Sequence, residues 1–377
     1  MDRIDKKIRI LHVLTDTNIG GAGTLLYNLK SAVNRQKYEF AFVFSKDSEL
    51  IDLFRGERIY LLNNGADRSL DLKAALEIKR IIEIEKPDII HTHSALFARI
   101  GARLARFDKR RVVYTKHCVF DVPKFTKYKL FRAIYRKIDD ALSGSIVAVA
   151  ESAKNELIMY GVREEKIKVI INGTLPLKES SESEKGELKR RLGISDCTIS
   201  VGISARLESY KGHKTLIKAA KIIKEKGIDD IIFLILGRGS CEGELKTYAE
   251  SLGVSDRTVF LGFQPNVAEY VNLFDINVNC STGTETSSLA ISEGLSLGKP
   301  VIASVFGGNP NMVKDGETGF LFPQGDAEAL AEKIIFLKAN PDTLKYMSNQ
   351  AKLDFAERFS AERMAGEYGE FYKKIIK

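Results

Sequence analysis

The side chains best suited to chemistry in this 377-residue chain gather in one segment of its second half. The run NCSTGTE ends at Glu285, and the helical pattern over 286–295 begins with Thr286, Ser287 and Ser288. Ser and Thr cap helices, and free backbone amides at a helix start attract phosphate oxygens. Glu285 is expected just before the N-terminus of the helix and Glu293 about two turns into it. Two carboxylates can then accept hydrogen bonds from a sugar and a ribose of one ligand. The alternative for Glu293, an exposed helix glutamate, is disfavoured by its small and apolar neighbours.

Two cations share a second loop, SARLESYKGH, where a predicted strand leads into a helix. Arg206 and Lys211 are expected there at the carboxyl end of the strand, the edge where ligands bind in open α/β sheets. A guanidinium binds two phosphate oxygens and an ammonium adds a point charge, so the pair suits a diphosphate and could stabilise it as a leaving group. The alternative is that both are solvated surface cations.

An early glycine turn, formed by Gly20 and Gly21, joins the first predicted strand to its helix. Without Cβ atoms these residues let a backbone approach a ligand closely, and the helix start behind them favours an anion. A plain tight turn is the alternative. A complete G-x-G-x-x-G is absent, which counts against a dinucleotide site.

His91 and His93 flank Thr92 at the end of another predicted strand. Structural hydrogen bonds to a loop and a role in binding an acceptor are equally compatible with this position. The sequence has no Asp-x-Asp motif and no group of His, Cys and carboxylate residues with convincing ligand spacing, so we predict no metal site.

The elements that position these residues alternate along the chain. Short apolar runs predict strands, and the amphipathic stretches between them predict helices. Such alternation predicts an α/β protein with parallel sheets covered on both faces. The predicted strands are 8–14, 40–44, 59–62, 88–91, 111–115, 145–148, 168–171, 198–203, 231–236, 258–260, 276–279, 300–303 and 319–322.

Length, composition and one polar segment divide the chain into two domains. With 44% hydrophobic and 29% charged residues, the composition is globular and excludes a disordered or collagen-like chain. The segment PLKESSESEKG over 176–186 has the composition of a linker. We therefore predict two Rossmann-like domains, 1–175 and 176–360, that face each other across a cleft, with a last helix near 361–377 crossing back to the first domain.

Taken in order, these motifs resemble the family 4, or group 1, retaining glycosyltransferases, which have the GT-B fold. The resemblance spans nearly the whole chain and includes the early glycine turn, the Arg206 to Gly212 loop and a Glu-x7-Glu motif formed by Glu285 and Glu293. Further matching segments are PDIIHTHS, VYTKH, INGTLP, LGRGS with FLGF, and GKPVIAS followed by GG and DGETGFL.

The resemblance implies an enzyme of the EC 2.4 hexosyltransferase type. Such an enzyme transfers a sugar from a nucleotide sugar to a glycan or lipid-linked acceptor with retention of configuration, and bacterial cell-surface polysaccharide synthesis is the usual setting. A UDP-sugar is the preferred donor, and neither a cofactor nor a divalent metal is implied. Thr-Ser-Ser follows Glu285 where many members have Gly-Phe, which leaves the donor sugar open.

Roles come from the resemblance by matching motif. The cations bind the donor diphosphate, one glutamate contacts the transferred sugar and the other contacts the ribose. The residues assigned to catalysis are His117, Arg206, Lys211 and Glu285. Those assigned to donor binding are Gly20, Gly21, Thr286, Ser287, Ser288 and Glu293.

Positive charge concentrates in the first half of the chain. Residues 1–175 carry a net charge of +10 and the remainder −2, and 97–137 contains thirteen basic residues against two acids. Part of this stretch, KFTKYKLFRAIYRK, interleaves cations with aromatic residues, a composition that suits an anionic membrane surface. The alternative is a solvated basic helix whose aromatics pack inward. The residues we place on the acceptor or membrane side are His91, His93, Arg99, Arg103, Lys127 and Arg132.

Signal-peptide and membrane-spanning patterns are missing from the sequence, so we predict a cytoplasmic protein with peripheral attachment to the inner face of the cell membrane. Two other functions remain open. A GT-B relative such as a nucleotide-sugar epimerase would bind the donor without transferring it. A nucleic-acid-binding Rossmann protein would explain the basic stretch but not Glu285, Glu293, Arg206 and Lys211, so we predict no nucleic-acid partner.

Overall fold

The computed structural model describes residues 6–63, 71–93, 96–119, 124–283 and 285–377. These residues form two compact units. Unit 1 comprises Met1–Leu175 and Ala361–Lys377, and unit 2 comprises Pro176–Ser360.

Unit 1 is built on a parallel sheet whose described strands are β1 (Ile8–Leu14), β2 (Tyr38–Ser45), β3 (Arg58–Leu62), β4 (Ile89–His93), β5 (Val112–Lys116), β6 (Ser145–Ala148) and β7 (Ile167–Val169). They lie in the order β3-β2-β1-β4-β5-β6-β7, so β1 and β4 are neighbours at the centre. The helices between them are α1 (Gly21–Ala32), α2 (Leu50–Leu53), α3 (Leu72–Glu85), α4 (Leu96–Leu104), α5 (Lys129–Leu142) and α6 (Glu151–Tyr160).

Unit 2 repeats this architecture with a second parallel sheet, whose described strands are β8 (Ile199–Ser204), β9 (Ile231–Leu236), β10 (Thr258–Gly262), β11 (Ile276–Asn279), β12 (Val301–Ser304) and β13 (Gly319–Phe322). Their order is β10-β9-β8-β11-β12-β13. The helices are α7 (Glu182–Leu192), α8 (His213–Glu225), α9 (Glu242–Ser251), α10 (Val267–Val271), α11 (Leu289–Ser296), α12 (Asn309–Met312), α13 (Ala327–Ala339) and α14 (Pro341–Asp354).

All thirteen predicted strands are present in the described part of the chain. The apolar residues of the central strands are buried on both faces of the sheets, as expected for strands covered by helices on each side, whereas Leu61 on the edge strand β3 is exposed. In both units the strand order reverses beside the first strand, so the carboxyl ends of β1 and β4, and of β8 and β11, are neighbours.

The C-terminal helix, α15 (Ala361–Ile376), packs on unit 1, as predicted. Met364, Tyr368 and Tyr372 on this helix are fully buried in the core beside α1 and β2. The Tyr38 hydroxyl donates to the Gly369 carbonyl oxygen at 2.8 Å. Removing the helix would therefore expose the apolar core of unit 1 to water.

The predicted linker over 176–186 is only partly correct, because α7 begins inside it. Ser181 caps the helix: its hydroxyl accepts from Glu184 N at 3.3 Å, and Glu184 Oε2 accepts from Ser181 N at 2.7 Å. This reciprocal pair is a capping box, which starts a helix even in a highly polar segment.

Candidate active site

The two predicted cations of unit 2 lie in the loop that joins β8 to α8. Gly212, with a φ of +71°, closes this loop against the end of β11, and a Cβ there would lie 2.0 Å from the Cys280 carbonyl oxygen. Such a close approach requires glycine. Arg206 Nη2 donates to the Tyr210 hydroxyl at 2.6 Å, and Lys211 Nζ lies 5.6 Å from the centroid of the same ring. The structure therefore gathers both cations beside one tyrosine.

Glu285 is buried next to Lys211. Its Oε2 accepts hydrogen bonds from Lys211 Nζ at 2.8 Å, Ser281 Oγ at 2.8 Å and Asn279 Nδ2 at 3.4 Å. Every hydrogen bond that described residues make to this carboxylate ends on Oε2, which leaves Oε1 for a ligand. An ammonium has three donors, so Lys211 also keeps donors for a ligand.

The helix after Glu285 begins later than predicted. It starts at Leu289, and the Ser288 hydroxyl caps it by accepting from Ile291 N at 3.4 Å. The Ser288 amide donates to Met312 Sδ at 3.1 Å. That amide is therefore engaged within the protein, which corrects the prediction that it faces a phosphate.

Glu285 and Thr286 precede α11 and pack against a glycine pair that follows β12. Gly308 N donates to the Glu285 carbonyl oxygen at 3.0 Å. Cβ atoms on Gly307 and Gly308 would lie 2.0 and 1.8 Å from the carbonyl oxygens of Glu285 and Thr286. This distant segment holds residues 285 and 286 outside the helix. Ser287 Oγ is buried and has no hydrogen-bond partner within the described residues.

Glu293 lies in the second turn of α11. Burial raises the pKa of its carboxyl to about 7, although the residue keeps some exposure. No side chain in the described part of unit 2 hydrogen-bonds this carboxylate. A buried carboxyl group without an internal partner is suited to bind the hydroxyls of a ligand.

Gly20 and Gly21 lie where β1 leads into α1, at the N-cap and first position of the helix. Both are exposed, and a Cβ on either would meet nothing within 4 Å. Gly23 differs, because a Cβ there would lie 2.6 Å from Leu50 Cδ2. A Cβ at 23 would therefore force the buried Leu50 side chain to shift, whereas at 20 and 21 the backbone is open to a ligand.

His117 follows β5 and is the outer member of a row of three imidazoles. His93 Nδ1 lies 2.9 Å from His117 Nε2, and His12 Nδ1 lies 3.1 Å from His93 Nε2. Burial lowers the pKa of His117 to about 4, so the ring is neutral at pH 7. A neutral imidazole meets a ligand with one N–H or one lone pair, and not as a cation.

His91 and His93 do not reach the surface, since they are 0% and 1% exposed. His91 Nδ1 lies 2.6 Å from the Tyr372 hydroxyl, and His91 Nε2 lies 2.6 Å from Thr115 Oγ1. These contacts support structural hydrogen bonding and not acceptor binding. With His12, the two residues form a group whose nitrogen atoms lie within 4.8 Å of one another, which the sequence spacing did not predict. Because His91 already uses both nitrogens, we interpret the group as a hydrogen-bonded cluster.

Comparison with known families accounts for both units. Residues 184–354 match the family model described as glycosyl transferases group 1, and residues 19–174 match glycosyltransferase family 4. The putative glycosyltransferase EpsD of Bacillus subtilis (strain 168) is 30% identical over 307 residues, which cover 78% of this chain and 80% of that protein. The chain belongs to the group 1 glycosyltransferases. It is an EC 2.4 glycosyltransferase.

Two further comparisons extend over nearly the whole glycosyltransferase. The UDP-Gal:alpha-D-GlcNAc-diphosphoundecaprenol alpha-1,3-galactosyltransferase of Escherichia coli is 26% identical over 392 residues, covering 100% of this chain and 99% of that protein. The crystal structure of HepE from Anabaena in complex with UDP and glucose matches with a TM-score of 0.83 and 21% identity, covering 97% of this chain and 99% of that one. The fold is therefore the two-domain GT-B fold.

On the basic side of the glycosyltransferase, Arg99, which we placed with Arg103 on the acceptor or membrane side, instead turns inward. Arg99 is 9% exposed, and its Nη1 lies 3.4 Å from Asp139 Oδ1. Its guanidinium stacks 4.4 Å from the centroid of the Tyr114 ring. The buried Asp139 carboxylate pairs with Lys166 Nζ at 2.5 Å through Oδ2, and Arg99 is the second cation beside it, while Arg103 stays at the surface.

On helix α5 the aromatic residues pack inward, as in the second interpretation of the basic stretch, and an exposed aliphatic stripe was not predicted. Phe131 and Tyr135 turn inward, with their rings 6.4 and 5.2 Å from that of Tyr160. Three aliphatic residues instead face solvent, at 74%, 49% and 53% exposure: Leu130, Ile134 and Ile138. Lys127 and Arg132 are exposed, as predicted.

Several residues of the candidate site escaped the sequence analysis. Tyr210 lies between the two cations of its loop, and its carbonyl oxygen accepts from Thr282 N at 2.8 Å, which joins that loop to the Glu285 segment. An aromatic residue flanked by two cations was the available signal. Asn279 and Ser281 carried no such signal, because only the folded loop turns them toward the carboxylate. None of the helices in the described residues is both long and apolar enough to cross a bilayer.

Proposed function

We propose that this glycosyltransferase moves a sugar from a UDP-sugar to a glycan or lipid-linked acceptor, with retention of configuration and without a metal or cofactor. In this reaction the bond between the sugar C1 and the diphosphate oxygen breaks, and a bond from C1 to the acceptor oxygen forms on the same face. The acceptor hydroxyl proton passes to the leaving phosphate. No separate protein base is needed, so the protein's contribution is positioning and charge stabilisation.

The arrangement around Glu285 carries this proposal. A buried carboxylate has three partners on Oε2 and none within the described residues on Oε1, and it lies 2.8 Å from a lysine that keeps unused donors. Oε1 can accept a hydroxyl of the transferred sugar, while Lys211 and the exposed Arg206 bind the adjoining diphosphate. Two fixed cations neutralise the charge that develops on the leaving group, the task that a divalent metal performs elsewhere.

Other residues complete the donor site in this proposal. Glu293 accepts the ribose hydroxyls, and its high pKa falls toward the ordinary value when those donors replace lost solvent. The backbone at Thr286 and Ser287 holds phosphate or sugar oxygens, and the buried Ser287 hydroxyl offers a further partner. In unit 1 the open backbone at Gly20 and Gly21 binds the donor, and His117 meets the transferred sugar.

Two similar proteins support a UDP-sugar as the donor. The HepE crystal structure contains UDP and glucose, and the name of the Escherichia coli enzyme specifies UDP-Gal. We expect UDP and UDP-sugars to raise the melting temperature more than GDP-, ADP- or dTDP-sugars, since a ligand bound only to the folded state stabilises it. Arg206→Ala should reduce that shift. With the nucleotide sugar that raises the melting temperature most, turnover should persist in EDTA. NMR of the product should show that the transferred sugar keeps the anomeric configuration it had in the donor.

Three results would contradict this proposal. Equal shifts with all nucleotides would remove the base preference, and loss of turnover in EDTA would remove metal independence. An epimerised sugar released without transfer to any acceptor would favour the epimerase alternative.

For the acceptor, we propose that α5 docks on an anionic membrane at the inner face of the cell. The exposed aliphatic stripe repeats every four residues, at Leu130, Ile134 and Ile138, and so forms one side of the helix. Exposed cations flank it: Lys129, Arg132, Arg136 and Lys137. An apolar stripe bordered by cations fits the interface of an anionic bilayer, which would bring the enzyme to a lipid-linked acceptor.

Liposome flotation tests this surface. The protein should float with anionic vesicles at low salt and less with zwitterionic ones, and Ile134→Ser should reduce flotation several-fold because it removes an inserting side chain. Ile84→Ser is the matched control, since Ile84 is 70% exposed on α3, away from the basic helix. Equal loss in both variants, or no flotation of the wild type, would contradict the proposal.

A further inference from the structure

The three imidazoles that end at His117 form a continuous hydrogen-bonded row inside unit 1. His12 on β1 pairs in register with His91 on β4, and His93 lies two residues further along β4. His93 in turn pairs with Thr115 on β5, and His117 lies two residues beyond Thr115. Side chains two residues apart share a face of a strand, so the parallel register itself aligns the three rings. The ring centroids are 5.4 Å apart for His12 and His93, and 5.1 Å apart for His93 and His117.

Each ring of this row carries a single N–H. Burial is the main cause that lowers the pKa of all three groups, so each is neutral at pH 7. Each of the two linking hydrogen bonds needs one N–H and one lone pair. The protons must therefore all point the same way along the row, and only two arrangements exist: donation outward from His12 to His117, or inward from His117 to His12.

The inner end decides between them. His12 Nε2 is buried and has no hydrogen-bond partner among the described residues. Inward donation would place a proton on this nitrogen and bury an N–H group without an acceptor, which is rare in folded proteins because the hydrogen bonds lost to water are not replaced. Outward donation leaves only a lone pair on this nitrogen. The His12 ring itself packs beside Phe40 and Phe42, with ring centroids 4.6 and 5.7 Å apart.

We infer that His12 and His93 are positioning residues that hold His117 in its Nδ1–H tautomer. With Nε2 of His117 accepting from His93, Nδ1 carries the proton, and no described residue is bonded to it. His117 therefore offers a fixed, neutral donor to an oxygen of the ligand and cannot accept a hydroxyl proton there. The role of this donor in turnover depends on the proposed function; the tautomer itself does not.

The chain contains five histidines, so histidine-selective nitrogen-15 labelling gives a spectrum that single substitutions can assign. In the wild type at pH 7.5 we expect the His117 signals to show a protonated Nδ1 and a bare Nε2. His93→Phe removes the donor to His117 Nε2, so His117 should then populate both tautomers. His93→Asn keeps an N–H near the position of Nδ1 and should restore the wild-type tautomer.

The matched control is His91→Asn. His91 is equally buried and stacks 4.5 Å from His93, but its hydrogen bonds go to Tyr372 and Thr115, outside the row. It should leave the His117 tautomer unchanged. In turnover, kcat/KM should fall roughly two- to tenfold in His93→Phe and recover in His93→Asn, because only the fraction with the correct tautomer is competent.

A bare Nδ1 on His117 in the wild type would overturn the inference, as would an unchanged tautomer in His93→Phe. The wild-type spectrum alone decides the direction if a variant fails to fold. If the tautomer is as inferred but His117→Phe retains full turnover, the proposed role of His117 fails while the row stands.

Discussion

The two units hold their candidate residues by opposite means. In unit 2 a charged pair, Lys211 and Glu285, is supported by Tyr210, Ser281 and Asn279 at the carboxyl edge of the sheet. In unit 1 a row of neutral imidazoles runs from the core to His117, and burial is what keeps it neutral. Charge suits a diphosphate that leaves with added negative charge, whereas a neutral donor suits a sugar hydroxyl, which gains none. The difference means that acid should disturb unit 1 long before it disturbs unit 2.

The largest expected effect is the pH dependence of unit 1. A histidine whose pKa is lowered on folding contributes stability that is complete above pH 6.5 and lost as pH falls below it, because the unfolded chain then binds more protons. His12, His91, His93 and His117 all have lowered pKa values. Their combined slope reaches up to about 5 kcal/mol per pH unit between pH 6.5 and 5.

The free energy of unfolding of unit 2 should change little over the same pH range. The pKa of His213 is lowered to about 4, which gives the same sign as in unit 1. The pKa of Glu293 is raised to about 7, so its contribution is complete below pH 4.5 and lost as pH rises through 7. Hydrogen exchange of the full chain at pH 7, 6 and 5, corrected for intrinsic rates, measures both units. Equal pH slopes of the opening free energy in β1 and β8 would contradict this difference between the units. His12→Phe should lower the slope of unit 1 by about one quarter.

The next effect is on turnover through the charged pair of unit 2. Lys211→Ala should lower kcat by about 10²–10³-fold, since it removes a cation that stabilises the leaving diphosphate. Lys214→Ala is the matched control, because Lys214 also pairs with a glutamate, Glu244, but lies on the exposed face of α8. Steady-state assays with the chosen donor measure both variants. Similar losses in the two would show that charge in general matters and not this position.

A structural feature could be predicted from the sequence where residues close to it in the chain determine it. The strands were predictable because each is an apolar run bounded by turn residues. The capping box of Ser181 and Glu184 was equally local and should have been recognised. The late start of α11 was not predictable, because Gly307 and Gly308, some twenty residues away, hold residues 285 and 286 out of the helix.

The histidine row shows the same limit more clearly. His12 is distant from His93 in sequence, and only the strand order, with β1 beside β4, brings the two nitrogens to 3.1 Å. On α5 the basic character was visible, but which apolar residues face outward depended on Tyr160, against which Phe131 and Tyr135 pack. Residue types therefore predicted whether each region is charged, aromatic or apolar, and tertiary neighbours decided which side chains face inward or outward.

The smallest expected effect separates a ligand-facing glycine from a packing glycine in one turn of unit 1. Gly21→Ala should leave the melting temperature nearly unchanged, because its Cβ meets nothing within 4 Å, but should lower kcat/KM roughly tenfold if the donor approaches this backbone. Gly23→Ala should do the reverse: its Cβ would lie 2.6 Å from Leu50 Cδ2, and such overpacking costs about 1–3 kcal/mol. Thermal unfolding and donor kinetics on both variants give the two readouts. If Gly21→Ala keeps full activity, the glycine turn has a structural role only. The candidate donor residues of unit 1 are then His117 and the imidazole row behind it.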